Sequence, residues 1–178
     1  MRMWDRLGRP KRRCSYIAHP AHTRRCDMKR IPLTQGKFSI VDDDDFEWLS
    51  KHKWTFNGYC AYRKVDDKNV YMHREIMKTP KGMDTDHKNH NRLDNKKENL
   101  RIATRSQNSW NKKKMDDNTS GYKGISKKKK KWRARICVDG NHIYLGYYAT
   151  KIEAALAYDN AARKYHGEFA YTNFEDDK

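Results

Sequence analysis

Residues 85–108 read TDHKNHNRLDNKKENLRIATRSQN, which places two histidines, two aspartates and five asparagines within 24 residues. Pro80 and Gly82 break the chain just upstream, so MDTDH (83–87) is expected as a short strand ending at Asp86 and His87. KNHNRLDNKKEN then forms a long polar loop, and NLRIAT (99–104) returns as a strand in which Leu100 and Ile102 alternate with Arg101 and Ala103. Thr104 and Gln107 stand at capping-box spacing, which starts a helix and puts Asn108 one turn inside it. The unit is strand, loop, strand, helix.

That order limits what the polar residues do. Successive strand side chains face opposite ways, so Asp86 and His87 share a pocket only if the strand ends and bends there. One arrangement brings Asp86 against Asn108 across strand and helix as hard oxygen donors for a divalent cation, with His87 facing the adjoining space. An imidazole beside such a site takes a proton from water near neutral pH, and metal-assisted phosphodiester hydrolysis is the chemistry these parts perform. Two other readings stand beside it. One is a solvated asparagine-rich loop. The other is a zinc site through His87 and His90, which lacks a third histidine or a cysteine at ligand spacing.

The stretch DHKNHNRLDNKKENLRIATRSQN resembles the HNH nuclease motif, the ββα-metal finger of many homing endonucleases, in the variant whose last histidine is replaced by asparagine. The resemblance implies that Asp86 and Asn108 are metal ligands for Mg2+ or Mn2+ and that His87 is the general base. It also implies that Asn99 bonds across the loop and holds His87 in place. YMHREIM (71–77) is similar to the entry segment of the same family, without a role for His73, and no function is carried onto His90.

Upstream, KFSIV (37–41) alternates as a strand, and Asp42 to Asp45 open a short helix, capping it and compensating its dipole while Phe46, Trp48 and Leu49 turn toward a core. KWTFNGYCAYRKV (53–65) reads as a hairpin turning at Asn57 and Gly58, and NVYMHREIM (69–77) as a strand running into a helix. Trp54, Phe56, Tyr59 and Tyr62 are expected mostly in the core. Residues 1–27 carry eight Lys and Arg against Asp5 and Asp27 with little apolar periodicity, a basic arm expected to be disordered. Cys14, His19, His22 and Cys26 within it are poorly spaced for a zinc knuckle, and a natural start at Met28 is compatible with the pattern.

Downstream, residues 120–174 yield three short strands, Gly124 to Ser126, Trp132 to Val138 and His142 to Tyr147, the last two joined at Asp139 and Gly140. Thr150 and Glu153 form a second capping box for a helix from Lys151 to about Tyr165, stopped by Gly167, with alanines at 154, 155, 157, 161 and 162 facing the sheet. The segment holds 11 Lys and Arg against Asp139, Glu153, Asp159 and Glu168, a net of +7, and Arg133 and Arg135 project from one face. GYKGI, KWRARI, LGYYAT, EAALAYDNAA and GEFAYTNF, in that order, resemble the Apetala-2/ethylene-response-factor type DNA-binding domain. The resemblance implies a sheet in the DNA major groove with contacts from Lys123, Trp132, Arg133, Arg135 and Tyr147, while Lys127 in the run to Lys131 has an electrostatic role. Lysines stand in the first turn where the plant form commonly has arginines and a tryptophan, so its sequence preference is not carried over.

The expected fold is thus α+β: a basic arm (1–27), an HNH endonuclease domain (28–114, finger 84–112), a linker (115–120) and a three-stranded antiparallel sheet packed on one helix (121–174). Lys+Arg 40 against Asp+Glu 23, a net of +17, points to a polyanion and first to double-stranded DNA. No run of about 18 apolar residues or signal-peptide core occurs, and four scattered cysteines fit reduced thiols, so an intracellular setting in a bacterial host or phage-infected cell is expected. The expected activity is a homing-type, site-specific DNA endonuclease acting as a monomer without an obligate protein partner. The rivals are a non-catalytic DNA-binding regulator using the same sheet and an RNA-binding protein.

Overall fold

The computed structural model describes residues 28–174, so the basic arm and its Cys14, His19, His22 and Cys26 lie outside the described residues. Strands β1 (Lys29–Pro32) and β2 (Phe38–Val41) pair antiparallel and lead into helix α1 (Asp43–Leu49). Strands β3 (Thr55–Phe56), β4 (Ala61–Val65) and β5 (Lys68–Tyr71) form an antiparallel meander that runs directly into α2 (Met72–Met77). Strand β6 (Asp84–His87), a loop, β7 (Leu100–Ala103) and α3 (Arg105–Trp110) follow. The C-terminal unit has β8 (Ile125–Lys128), β9 (Lys131–Val138) and β10 (Asn141–Tyr148) in the order β10-β9-β8, then α4 (Lys151–His166) and a short 3-10 turn at Gly167–Phe169. This is the mixed helix and sheet architecture that the sequence implies. Among the described residues no helix is long and apolar enough to cross a membrane.

Two separate apolar clusters hold these elements. The first gathers Ile31, Val41, Leu49, Trp54, Met72, Ile76 and Leu100, so that one side chain from nearly every N-terminal element meets the others. Full burial of each large aliphatic side chain there contributes about 1.5–3 kcal/mol. Trp54 also donates its indole N–H to the carbonyl of Leu49 at 2.9 Å, closing the end of α1. Tyr59 departs from expectation: it is 68% exposed, because Asn57 Oδ1 accepts the amides of Tyr59 and Cys60 and turns the ring out of the hairpin.

The second cluster lies between the C-terminal sheet and α4, where Ala154, Ala155, Ala161 and Ala162 let the helix approach Ala134 and Ile136 closely. Both capping boxes read from the sequence form, Thr104 with Gln107 on α3 and Thr150 with Glu153 on α4. Asp159, 1% exposed, accepts hydrogen bonds from the amides of Asn173 and Phe174 and from the Asn173 side chain, and so ties the closing segment to α4.

The aspartate run behaves differently from a simple cap. Asp42 occupies the N-cap of α1 without a side-chain capping bond, and its carboxylate instead accepts the amide of Lys97 at 2.8 Å. Asp45 is buried and pairs with the Lys97 ammonium at 2.9 Å. The run thus anchors the far loop between β6 and β7 as well as sitting at the positive end of α1.

Candidate active site and nucleic-acid face

The β6–β7 ribbon, the loop between its strands and α3 form one side of an open cleft of about 620 Å³. Its lining includes Asp84, Asp86, His87, Asn108 and Asn111 from these elements and His73 and Arg74 from α2. Arg92, Lys112 and Lys113 add cationic groups around the carboxylates, an arrangement suited to a phosphodiester. Strand β6 ends at His87 and turns, which is why neighbouring strand residues Asp86 and His87 both reach the cleft.

The loop of residues 88–99 is held by its own amides and carboxylates. Asn89 donates to Asp94, Asn91 and Leu93 lean on the side chains of Asn89 and Asn91, and Asn99 spans the loop by accepting the Asn89 amide and donating to the Asp94 carbonyl. Backbone bonds from Ile40 to Leu93 and from Asn95 to Ile40, both 2.8 Å, dock the loop onto β2.

Asn99 bonds across the loop as the resemblance implies, but the contact that holds His87 belongs to Asn95, which is fully buried. Its Oδ1 lies 2.9 Å from His87 Nε2, whereas Asn99 makes its bonds within the loop. The sense of that contact follows from a chain of donors. Ser39 gives its hydroxyl proton to the Leu93 carbonyl at 3.2 Å, so Ser39 Oγ accepts from Asn95 Nδ2 at 2.8 Å. That fixes the Asn95 oxygen toward His87, whose Nε2–H donates, and leaves Nδ1 as the lone-pair nitrogen. Burial lowers the His87 pKa, opposed by the Asn95 bond and by Asp86, which keeps the ring neutral at pH 7. His73, which the sequence left without a role, meets the His87 ring edge-on at 5.2 Å, and burial, with the nearby His87 next, lowers its own pKa to about 3.

The structure does not bring Asp86 and Asn108 together. Asn108 Nδ2 donates to Asp84 at 3.1 Å, and Asn111 faces Asp86 instead. Asp84 and Asp86 lie on one face of β6, two residues and about 6.6 Å apart. Asn108 in α3 and Asn111 at its C-cap, where the backbone is still helical, lie on one face, three residues and about 4.5 Å apart. The two rows therefore match pairwise, and the ligand pair expected as one strand residue and one helix residue becomes two such pairs. Asn111 Nδ2 has three acceptors around it, Asp86 Oδ1 at 3.0 Å, Oδ2 at 2.9 Å and the His87 carbonyl at 3.2 Å. Two amide hydrogens face three acceptors, of which Asp86 Oδ2 also accepts from Arg101, so oxygen lone pairs remain chiefly on Oδ1 and the His87 carbonyl. Among the described residues no three His, Cys, Asp or Glu side chains gather as a metal group, so amide and carbonyl oxygens would have to complete any donor set here. That chemistry fits a hard cation that keeps part of its water.

On the C-terminal sheet, Arg133 and Arg135 lie on the side away from α4, opposite Tyr147 and Tyr144 respectively in β10. Tyr144 and Tyr147 are three apart, and strict alternation would put them on opposite faces. A register shift between Tyr144 and Gly146 brings them to the same one, their rings 5.4 Å apart. Tyr144, 56% exposed, thereby joins Tyr147 on that face and was not among the expected contacts.

Two expected contacts lie elsewhere. Trp132 shares the face of Ala134 and Ile136 and packs against the second cluster, since one strand residue separates each pair. Lys123 turns inward: its ammonium donates to the carbonyls of Trp110 and Lys112 at 2.5 and 2.7 Å, at the end of α3. Burial, with Lys112 adding repulsion, lowers its pKa to about 8, so it is still charged at pH 7. Lys127 is exposed on β8, with its ammonium 5.9 Å from the Trp132 ring.

The family described as HNH endonuclease matches residues 78–110, which span β6, the loop, β7 and α3. A protein of Acanthamoeba polyphaga mimivirus that carries the name HNH endonuclease is 33% identical over 147 residues, 78% of this chain and 76% of its own length. Protein 3.8 of Escherichia phage T7 is 36% identical over 94 residues, 51% of this chain and 76% of that protein. Over a different stretch, an AP2-like ethylene-responsive transcription factor of Arabidopsis thaliana is 52% identical over 60 residues, 32% of this chain and 17% of the plant protein.

Proposed function

The chain belongs to the HNH endonucleases, and from that premise we propose that it hydrolyses a DNA phosphodiester bond in the cleft beside His87, as a site-specific enzyme of the homing type. The observation that carries the reading is the polarised chain from the Leu93 carbonyl through Ser39 and Asn95 to His87. It presents a neutral imidazole, Nδ1 lone pair available, beside an oxygen-rich cation position. His87 takes a proton from water as the water oxygen attacks phosphorus; the phosphorus–oxygen bond to the departing sugar breaks, and that oxygen is protonated from solvent. Asp86 and Asn111, with Asp84 and Asn108 beside them, would hold Mg2+ or Mn2+. Such an ion, when bound, supplies Lewis-acid stabilisation of the charge that builds on the phosphate oxygens. Arg92, Lys112 and Lys113 attract the strand.

The C-terminal unit, proposed as residues 121–174, brings the target. Arg133 and Arg135 with Tyr144 and Tyr147 would face the major groove, and the likeness to a plant transcription factor over 60 residues supports that use. The viral relatives support a setting inside an infected cell. On this proposal the protein acts on double-stranded DNA as a monomer.

The test is cleavage of a pool of duplex fragments with Mg2+ or Mn2+ across a pH series. Because burial lowers the His87 pKa, its neutral form persists below the ordinary value. The cleavage rate should therefore be flat through neutrality and fall only as pH drops well below about 6.5. A rate that declines as pH rises from 6 to 8 contradicts a histidine base, and binding without any nicking favours the regulator reading. Arg135→Ala should reduce discrimination at one base pair by about 1–3 kcal/mol. Log affinity should fall with log salt by about 0.9 per phosphate neutralised, and a salt-independent affinity measured by anisotropy would exclude the electrostatic account.

A further inference from the structure

Arg101 stands opposite Asp86 in the β6–β7 ribbon and grips one oxygen of its carboxylate twice, Nε at 2.8 Å and Nη2 at 2.7 Å from Oδ2. It is absent from the side chains that line the cleft, so it holds Asp86 from behind. The grip engages Oδ2, which the Asn111 amide also reaches at 2.9 Å, while Oδ1 meets the Asn111 amide at 3.0 Å without the arginine. The other side of the guanidinium belongs to the C-terminal unit. Arg101 Nη1 donates to the Glu168 carbonyl, and the guanidinium carbon lies 3.9 Å from the centre of the Phe169 ring, which is 6% exposed. The arginine is therefore clamped between a carboxylate of the cleft and the turn that follows α4.

The clamp is one of several contacts between the two units. Trp110 at the end of α3 stacks on His166 at the end of α4, with ring centres 4.5 Å apart and planes 8° apart. Lys123 caps the last carbonyls of α3, and His90 in the loop meets Tyr171 at 5.3 Å. The loop, β7 and α3 each touch the C-terminal unit. Two units joined only through the linker of residues 115–120 would not need these contacts.

We propose that Arg101 is a positioning residue for Asp86, held in place by Glu168 and the Phe169 ring, so that the cutting cleft is complete only with the C-terminal unit docked on it. This rests on the nuclease reading, and extends it: the recognition unit forms part of the wall that orients an active-site carboxylate.

The test uses the full chain with Phe169→Leu, Phe169→Tyr and Arg101→Lys. Leucine keeps most of the volume and removes the ring face that attracts the guanidinium; tyrosine keeps it. Three quantities are read: the single-turnover cleavage constant at saturating protein, the DNA Kd without metal, and the side-chain amide resonances of Asn111. Phe169→Leu should slow cleavage on the order of tenfold, shift the Asn111 resonances and leave Kd within about twofold. Phe169→Tyr should restore all three, and Arg101→Lys, which loses the forked geometry, should reproduce the leucine defect. Wild-type cleavage and unmoved Asn111 resonances in both Phe169→Leu and Arg101→Lys would overturn the proposal, as would a loss that follows the fraction unfolded and is not rescued by tyrosine. If Phe169→Leu is unfolded at the assay temperature, Arg101→Lys carries the same readings. If the wild-type chain cuts no DNA, the nuclease reading fails, while the Asn111 resonances still report whether Phe169 positions the carboxylate.

Discussion

Replacing His87 by alanine should lower the cleavage rate by about two to four orders of magnitude, the range a positioned general base contributes, while duplex affinity without metal stays close to that of the parent. Among the described residues the His87 ring is the imidazole of the cleft whose tautomer is set by a buried amide, through Asn95 Oδ1 at 2.9 Å. His73 cannot replace it, because burial, the main cause of its low pKa, makes it a weak base and its Nδ1 is enclosed without a partner, out of reach of an attacking water. Removing the His87 ring leaves Asn95 with an unpaired buried oxygen, a stability cost of about 1–3 kcal/mol, so rate and melting temperature must be measured on the same preparation. A variant that still cuts within tenfold of the parent would remove His87 from the chemistry. Loss of DNA binding without loss of folding would make the loop a binding element and not a catalytic one.

The largest expected effect on stability falls on Gly124. Its φ is +77°, and a Cβ built there would lie 2.1 Å from Tyr158 Cδ2, 2.3 Å from Cε2 and 2.7 Å from the Arg135 carbonyl oxygen. Tyr158 is 3% exposed in the centre of the second cluster, so its ring has no room to retreat. The left-handed backbone costs an ordinary residue about 1–2 kcal/mol, and forcing a methyl into a packed core costs about 1–3 kcal/mol more. Gly124→Ala should therefore lose about 2–5 kcal/mol, which for a unit of this size lowers its melting transition by more than about 10 °C. Calorimetry would read this directly, and a transition moved by less than 2 °C would mean that Tyr158 does not cover Gly124 in solution.

Much of the candidate site was legible because its signals are local. The capping pair Thr104 and Gln107 starts α3 three residues apart, and the break at Pro80 and Gly82 precedes β6, so strand, loop, strand and helix follow in the expected order. What was not legible depends on distant partners. Asn95 and Asn99 are both loop asparagines, and only Ser39, 56 residues before Asn95, selects which one orients His87. Lys123 reads as one more cation on a basic sheet until the carbonyl end of α3 is seen against it. Trp132 is a different case, since alternation in KWRARI already put it with Ala134 and Ile136, opposite the arginines. The register slip before Gly146 left no signal stronger than the glycine itself, whose φ of +129° only the folded strand displays.

The loop of residues 88–99 has a thermal consequence of its own. Asn95 and Asn99 are buried in it at 0% and 6% exposure, and its interior is closed by amides, carboxylates and backbone groups more than by apolar side chains. Exposing apolar surface raises heat capacity and exposing polar surface lowers it. Opening this loop therefore carries a small or even negative heat-capacity change, and its free energy varies almost linearly with temperature. The apolar clusters on either side follow a curved profile and weaken in the cold. Local opening of the segment that orients His87 thus responds less to hydrophobic strength than unfolding of the clusters does, while its anchors Ser39 and Ile40 on β2 tie its position to the first of them.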